Sequence, residues 1–224
     1  MKLCLASQGF MNDEIAESIA KLVEKPLKEI NVAIINESYV GRPGHEDKRW
    51  LIKELAKLEN YIGGRIDFVN LRAYDLSEIE QRLKNADLIY IVGGKQHFLS
   101  RILRETKTFD LLKNLANEKV IMGTSAGAML LGRQIESPKF WQQKYSQSLI
   151  EAKSDPELAL VNFNIIPHYA RPDQAKWTKT FFTETLKDNP FPIFAITDNQ
   201  AVIYDDGELI FVGGNPEVFG KSPK

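Results

Sequence analysis

Residues 88–94 read LIYIVGG and residues 120–132 read VIMGTSAGAMLLG. A bare apolar run such as 88–92, closed by Gly93 and Gly94, is what a central parallel strand buried on both faces requires. The run 120–123 has the same character and passes straight into Gly123-Thr124-Ser125-Ala126-Gly127, followed by small and apolar residues to Leu131 that read as a helix. Two strands that each end in glycine before a helical segment are βα units, and βα units build a parallel sheet.

The pattern extends outward from there. Residues 3–6 predict a first strand, with Asn12 as N-cap of a helix whose first turn holds Asp13 and Glu14 and whose apolar face holds Ile15, Ile19, Leu22 and Val23. Residues 32–35 predict a second strand, and Leu51, Leu55, Leu58 and Ile62 a helix closed by Gly63 and Gly64. A third strand is expected over 66–71. Ser77 and Glu80 have the spacing of a capping box, and Phe98, Ile102 and Leu103 mark a further helix. Beyond Gly132, 135–158 lacks a clear period and contains Pro138 and Pro156, which predicts an excursion or hairpin. Strands are expected over 161–166, 191–197 and 201–204, a helix over 177–186, and a tight Asp206-Gly207 hairpin leading into 209–212. The expected fold is α/β, three layers with a mostly parallel sheet, helices on both faces and a C-terminal β-hairpin, in one domain over residues 1–224.

Composition narrows the function classes. The 224 residues are 43% hydrophobic and 26% charged, which suits a folded globular chain. Lys and Arg number 29 against 30 Asp and Glu, so no positive field invites a phosphate backbone, and nucleic acid is not an expected partner. Cys4 is the only cysteine and can form no internal disulfide; its place in the first strand predicts a buried thiol. The opening MKLCLASQGF is too short an apolar run for a signal peptide, and no stretch reaches the ~18–20 apolar residues of a membrane span. A cytoplasmic protein without membrane association is expected.

Chemistry concentrates at GTSAG. G-x-S-x-G between a buried strand and a helix is the setting of a nucleophile elbow, where glycine flanks admit a tight turn and present the Ser125 hydroxyl. The N–H of Ala126 is one natural oxyanion donor, and Gly94 or Gly93, at the end of the neighbouring strand, supplies the second. A serine needs a base, and there are three histidines. His45 lies in a polar loop, His97 follows the glycine pair and suits a pocket wall, and His168 ends the 161–166 strand, which makes it the candidate base.

Three pieces, GTSAGAMLLG at 123–132, IYIVGGKQHF at 89–98 and IIPHY at 165–169, resemble dipeptidase E (aspartyl dipeptidase) and its relative cyanophycinase. These are serine peptidases on a flavodoxin-like sheet akin to that of class I glutamine amidotransferases. The resemblance covers nearly the whole chain. It implies Ser125 as nucleophile, His168 as base, the N–H groups of Gly94 and Ala126 as oxyanion hole, small peptides as substrates, no cofactor and no metal, and a monomer or homodimer. Gly93, Lys95, His97 and Arg171 are the expected substrate-binding residues. The chain departs from the family in two places. Lys95-Gln96-His97 stands where a third glycine and Asn-Thr are usual, and the place of the triad acid falls near Phe140, which cannot serve. Glu136 is therefore the first candidate acid, with Asp155 and Glu157 next; Arg133 joins Lys95 and Arg171 as a possible substrate cation.

Two alternatives stay open on sequence alone. An α/β-hydrolase esterase shares G-x-S-x-G but places its histidine after the last strand. A binding protein that has lost its acid keeps the same fold.

Overall fold

A computed structural model describes residues 1–39, 47–145, 157–174 and 177–221. His45, Asp155 and Pro156 lie outside the described residues. The chain runs β1 (Lys2–Ala6), α1 (Asp13–Val23), β2 (Val32–Ile35), α2 (Arg49–Tyr61), β3 (Ile66–Phe68), α3 (Leu76–Lys84), β4 (Leu88–Ile91), α4 (Gln96–Glu105), α5 (Thr108–Leu115), β5 (Val120–Thr124) and α6 (Ala126–Leu131). It continues through α7 (Pro138–Tyr145), β6 (Asn164–Ile166), α8 (Lys179–Leu186), β7 (Ile193–Ala195), β8 (Ala201–Asp205), β9 (Glu208–Val212) and β10 (Glu217–Phe219).

The main sheet has the order β3-β2-β4-β5-β1-β8-β9. Its first five strands in this order are parallel, and β8 and β9 add an antiparallel edge. Both faces are covered, and the alternation of each strand divides the core. Leu3, Leu5, Ile89, Ile91 and Ile121 face α3–α6, whereas Cys4, Ala6, Leu88, Tyr90 and Met122 face α1 and α2. All four residues of β4 are fully buried, and each such aliphatic side chain contributes ~1.5–3 kcal/mol through burial. This is the mostly parallel three-layer fold expected.

Beside it stands a sheet that the sequence pattern did not separate, with order β10-β7-β6, β6 and β7 parallel. The expected strands 161–166 and 191–197 shrink to three-residue cores of this second sheet, and Phe163, Ile165, Phe194 and Phe219 pack it onto the α3–α6 side of the main core.

Local signals hold in part. Asn12 caps α1, its Oδ1 accepting the Ile15 N–H at 3.0 Å. Asp206 and Gly207 turn the β8–β9 hairpin with φ of 46° and 106°, the left-handed pair that a two-residue hairpin needs. The α3 cap is Asp75 and not Ser77: the Asp75 carboxylate accepts the Glu78 N–H and starts the helix one residue before Ser77. Strand β3 ends at Phe68, since the chain turns inward where the Leu71 N–H meets Glu37. Part of the expected excursion is helical: Pro138 occupies the first position of α7, where its missing N–H costs nothing, and Phe140 and Trp141 bury its inner face.

Candidate active site

β5 delivers Ser125 to the carboxyl edge of the main sheet. Its backbone sits at φ 50°, ψ −114°, a conformation that costs a non-glycine residue ~1–3 kcal/mol and is held by its surroundings. The Ser125 N–H donates to Ala6 O at 3.0 Å, and its carbonyl accepts the Met129 N–H at 3.0 Å. The flanking glycines are dictated by crowding: a Cβ on Gly123 would lie 2.5 Å from Gly127 O, and one on Gly127 would lie 2.3 Å from Ile91 O. The elbow turns so tightly against β4 that only hydrogen fits.

His168 reaches Ser125 from the far end of β6. Its Nε2 stands 2.9 Å from Ser125 Oγ and its Nδ1 2.6 Å from Asp198 Oδ1. An ionised carboxylate only accepts, so the ring hydrogen lies on Nδ1 and Nε2 is left to accept the Ser125 hydroxyl. Ser7, fully buried at the end of β1, fixes this pair: its Oγ accepts the His168 N–H at 2.8 Å and donates to Asp198 Oδ1 at 3.0 Å. Without that bond the His168 backbone, at φ 59°, would lack a partner on this side. Partial burial pushes the Asp198 carboxyl up, but the hydrogen bond and charge of His168, the Ser7 hydroxyl and the Arg171 guanidinium outweigh it and hold the group below its ordinary range.

Glu136 is not the carboxylate on His168. It follows α6 too closely to turn back, is about half exposed, and pairs with Arg133 at 3.3 Å, which in turn bonds Asn162 and lies over the Phe191 ring. Phe140 is buried in the core. Glu157 is buried elsewhere and accepts from Gln96; burial pushes its carboxyl up to about 7. The carboxylate that meets His168, missed by sequence reading, is Asp198, in the turn 197–200 between β7 and β8. Gln200 ties that turn, its N–H donating to Thr197 O and its Oε1 accepting the Thr197 N–H.

The glycine pair divides its work. The Gly93 N–H donates to Thr124 Oγ1 at 3.0 Å and is spent. No hydrogen bond among the described residues uses the N–H of Gly94 or of Ala126, so these two are the donors free for an oxyanion. Gly93 lies against Ser125, since a Cβ there would be 2.9 Å from Ser125 Cβ. Lys95 and His97 flank the start of α4, half-buried. Arg171 is held by Asp173 at 2.9 and 2.7 Å, with Nη1 turned to 3.4 Å from His168 Nδ1 and 3.8 Å from Asp198 Oδ2. It therefore stands beside His168 and Asp198.

The sequence model of peptidase family S51 matches residues 3–212. The chain belongs to peptidase family S51. The kinship with dipeptidase E expected from the three motifs holds, and the S51 chain is a peptidase by family. It is 30% identical over 160 residues to an uncharacterised peptidase of Pasteurella multocida, covering 68% of this chain and 72% of that one. Over 96 residues it is 36% identical to a probable alpha-aspartyl dipeptidase of Drosophila melanogaster, covering 42% of this chain and 38% of the other. Among solved structures, a candidate peptidase E protein from Listeria monocytogenes EGD-e superposes with TM-score 0.73 at 25% identity, covering 94% of this S51 chain and 96% of its own. A peptidase from an acI-B1 actinobacterium shares the fold, with TM-score 0.64 at 21% identity over 98% and 87% of the two chains. No helix among the described residues of the S51 chain is long and apolar enough to cross a membrane.

Proposed function

We propose that this S51 peptidase is a serine peptidase of small peptides working through an acyl-enzyme. The observation that carries the reading is the continuous chain Ser125 Oγ, His168 imidazole, Asp198 carboxylate, with 2.9 and 2.6 Å steps. His168 Nε2 takes the Ser125 proton as Oγ attacks the scissile carbonyl, and Asp198 stabilises the imidazolium that forms. The Gly94 and Ala126 N–H groups receive the oxyanion. The imidazolium then gives its proton to the departing amine, and water, deprotonated by the same nitrogen, releases the acid product and frees Ser125. The reading as a binding protein leaned on the lack of an acid, and Asp198 removes that support.

The test is a panel of di- and tripeptides hydrolysed by wild type and by Ser125→Ala, with fluorophosphonate labelling located by peptide mass spectrometry. Hydrolysis lost in the variant and a single adduct on Ser125 are expected. Hydrolysis that survives Ser125→Ala, or an adduct on another residue, overturns the assignment.

A further inference from the structure

The loop that carries the Gly94 N–H is gripped from two sides by buried hydroxyl side chains. On one side is Ser38, fully buried in the helical turn after β2. Its Oγ lies 2.7 Å from Val92 O and 2.6 Å from Gly93 O, and its own carbonyl accepts the Lys95 N–H at 3.0 Å. On the other side is Thr124, also fully buried, whose Oγ1 accepts the Gly93 N–H at 3.0 Å and donates to Glu54 Oε1 at 2.6 Å. Tyr90 OH donates to the same Glu54 oxygen at 2.9 Å. Glu54, only 6% exposed on α2, thus anchors the Thr124 hydroxyl so that its lone pairs face Gly93.

Peptide geometry turns this grip into an aim. The Gly93 carbonyl and the Gly94 N–H belong to one peptide unit, no peptide bond among the described residues is cis, and in a trans unit C=O and N–H point in opposite directions. A carbonyl drawn to Ser38 therefore sends the Gly94 N–H away from Ser38. Gly94 itself is confined: its φ of +150° suits glycine, and a Cβ would lie 2.5 Å from Ser38 O. The Gly93 amide, fixed by Thr124, removes the remaining rotation of the loop next to Ser125.

We propose that Ser38 and Thr124 are positioning residues that aim the Gly94 N–H at the oxyanion, Glu54 serving as the anchor of Thr124. The inference rests on the reading of Ser125 and Gly94 as parts of a peptidase site. Preorganised donors matter because an oxyanion hole that must rotate into place loses much of its advantage at the moment of reaction.

The experiment compares wild type, Ser38→Ala, Thr124→Val and Thr124→Ser on the best dipeptide of the panel, with an aminoacyl boronate as tetrahedral probe. Ser38→Ala and Thr124→Val should each lower kcat ~10- to 100-fold while KM stays within about threefold, and the boronate Ki should rise as kcat/KM falls. Product affinity should not move, and Thr124→Ser should recover most of the loss. Folded Ser38→Ala and Thr124→Val proteins with kcat and boronate Ki unchanged overturn the proposal. So does a parallel loss of boronate and product binding, which marks a merely structural role. If Ser38→Ala does not fold, Ser38→Cys, similar in shape with a weak donor, is held to the same criteria. Failure of the underlying reading has a different mark: wild type then binds no boronate, or Ser125→Ala still hydrolyses the dipeptide.

Discussion

Asp198 follows His168 by 30 residues, yet its Oδ1 stands 2.6 Å from His168 Nδ1. The parallel pairing of β6 with β7, in register at Ile166 and Ala195, brings both residues past the same sheet edge. Asp198→Asn should keep the fold and lower kcat by ~10⁴, because an amide stabilises neither the needed tautomer nor the imidazolium. Glu136→Gln should leave turnover within a factor of about two. Steady-state kinetics on the two variants decides between the carboxylates.

Ser7 makes hydrogen bonds to both the His168 backbone and Asp198. Ser7→Ala should reduce kcat ~10- to 100-fold at little cost in KM, since two partly buried hydrogen bonds of about 1 kcal/mol each are lost around His168. A drop in KM-dependent binding alone would contradict this placement.

Gly127 has no room for a methyl group: the nearest atom, Ile91 O, is main chain and would lie at 2.3 Å. Gly127→Ala should cost about 3 kcal/mol or more and lower Tm by on the order of 10 °C. A thermal melt within about 2 °C of wild type would show that β4 and the elbow can separate freely.

Burial pushes the Glu157 carboxyl from an ordinary 4.5 up to about 7, outweighing its own backbone N–H, the Lys144 charge and the Gln96 hydrogen bond, which pull it down. Its folded value is raised, so the folded chain holds a proton that the unfolded chain has released between those values. That contribution to stability is fully present below pH 4.5 and lost as pH rises through about 7. Glu157→Gln should therefore gain stability relative to wild type on going from pH 5 to pH 8, by roughly 1–3 kcal/mol. Urea melts at the two pH values measure it; a difference independent of pH contradicts the burial argument.

The parallel sheet, the elbow and the pairing of Ser125 with His168 were legible because bare apolar runs, glycine flanks and a strand-end histidine are local signals. The acid was not. Glu136 is near Ser125 along the chain, but α6 carries it off to Arg133, and distance from the nucleophile in sequence says nothing about which carboxylate meets the histidine. The usable signal was the pair of strands 161–166 and 191–197: an Asp just past the second lies opposite a His just past the first once they pair in parallel. The small sheet hid that relation, since its strands are three residues long. Helix α7 was obscured by Pro138, which reads as a breaker unless it falls at a helix start.

The division of the chain into two sheets has a temporal consequence. Ser125 lies on the main sheet, while His168 and Asp198 depend on the small one and on the turn that joins it back to β8. A ribosome therefore completes the elbow before it has made the group that orients the base. A nascent chain shorter than residue 198 has Ser125 but lacks the carboxylate that meets the imidazole, so the contact from Ser125 through His168 to Asp198 forms only after the turn that follows β7 has been made.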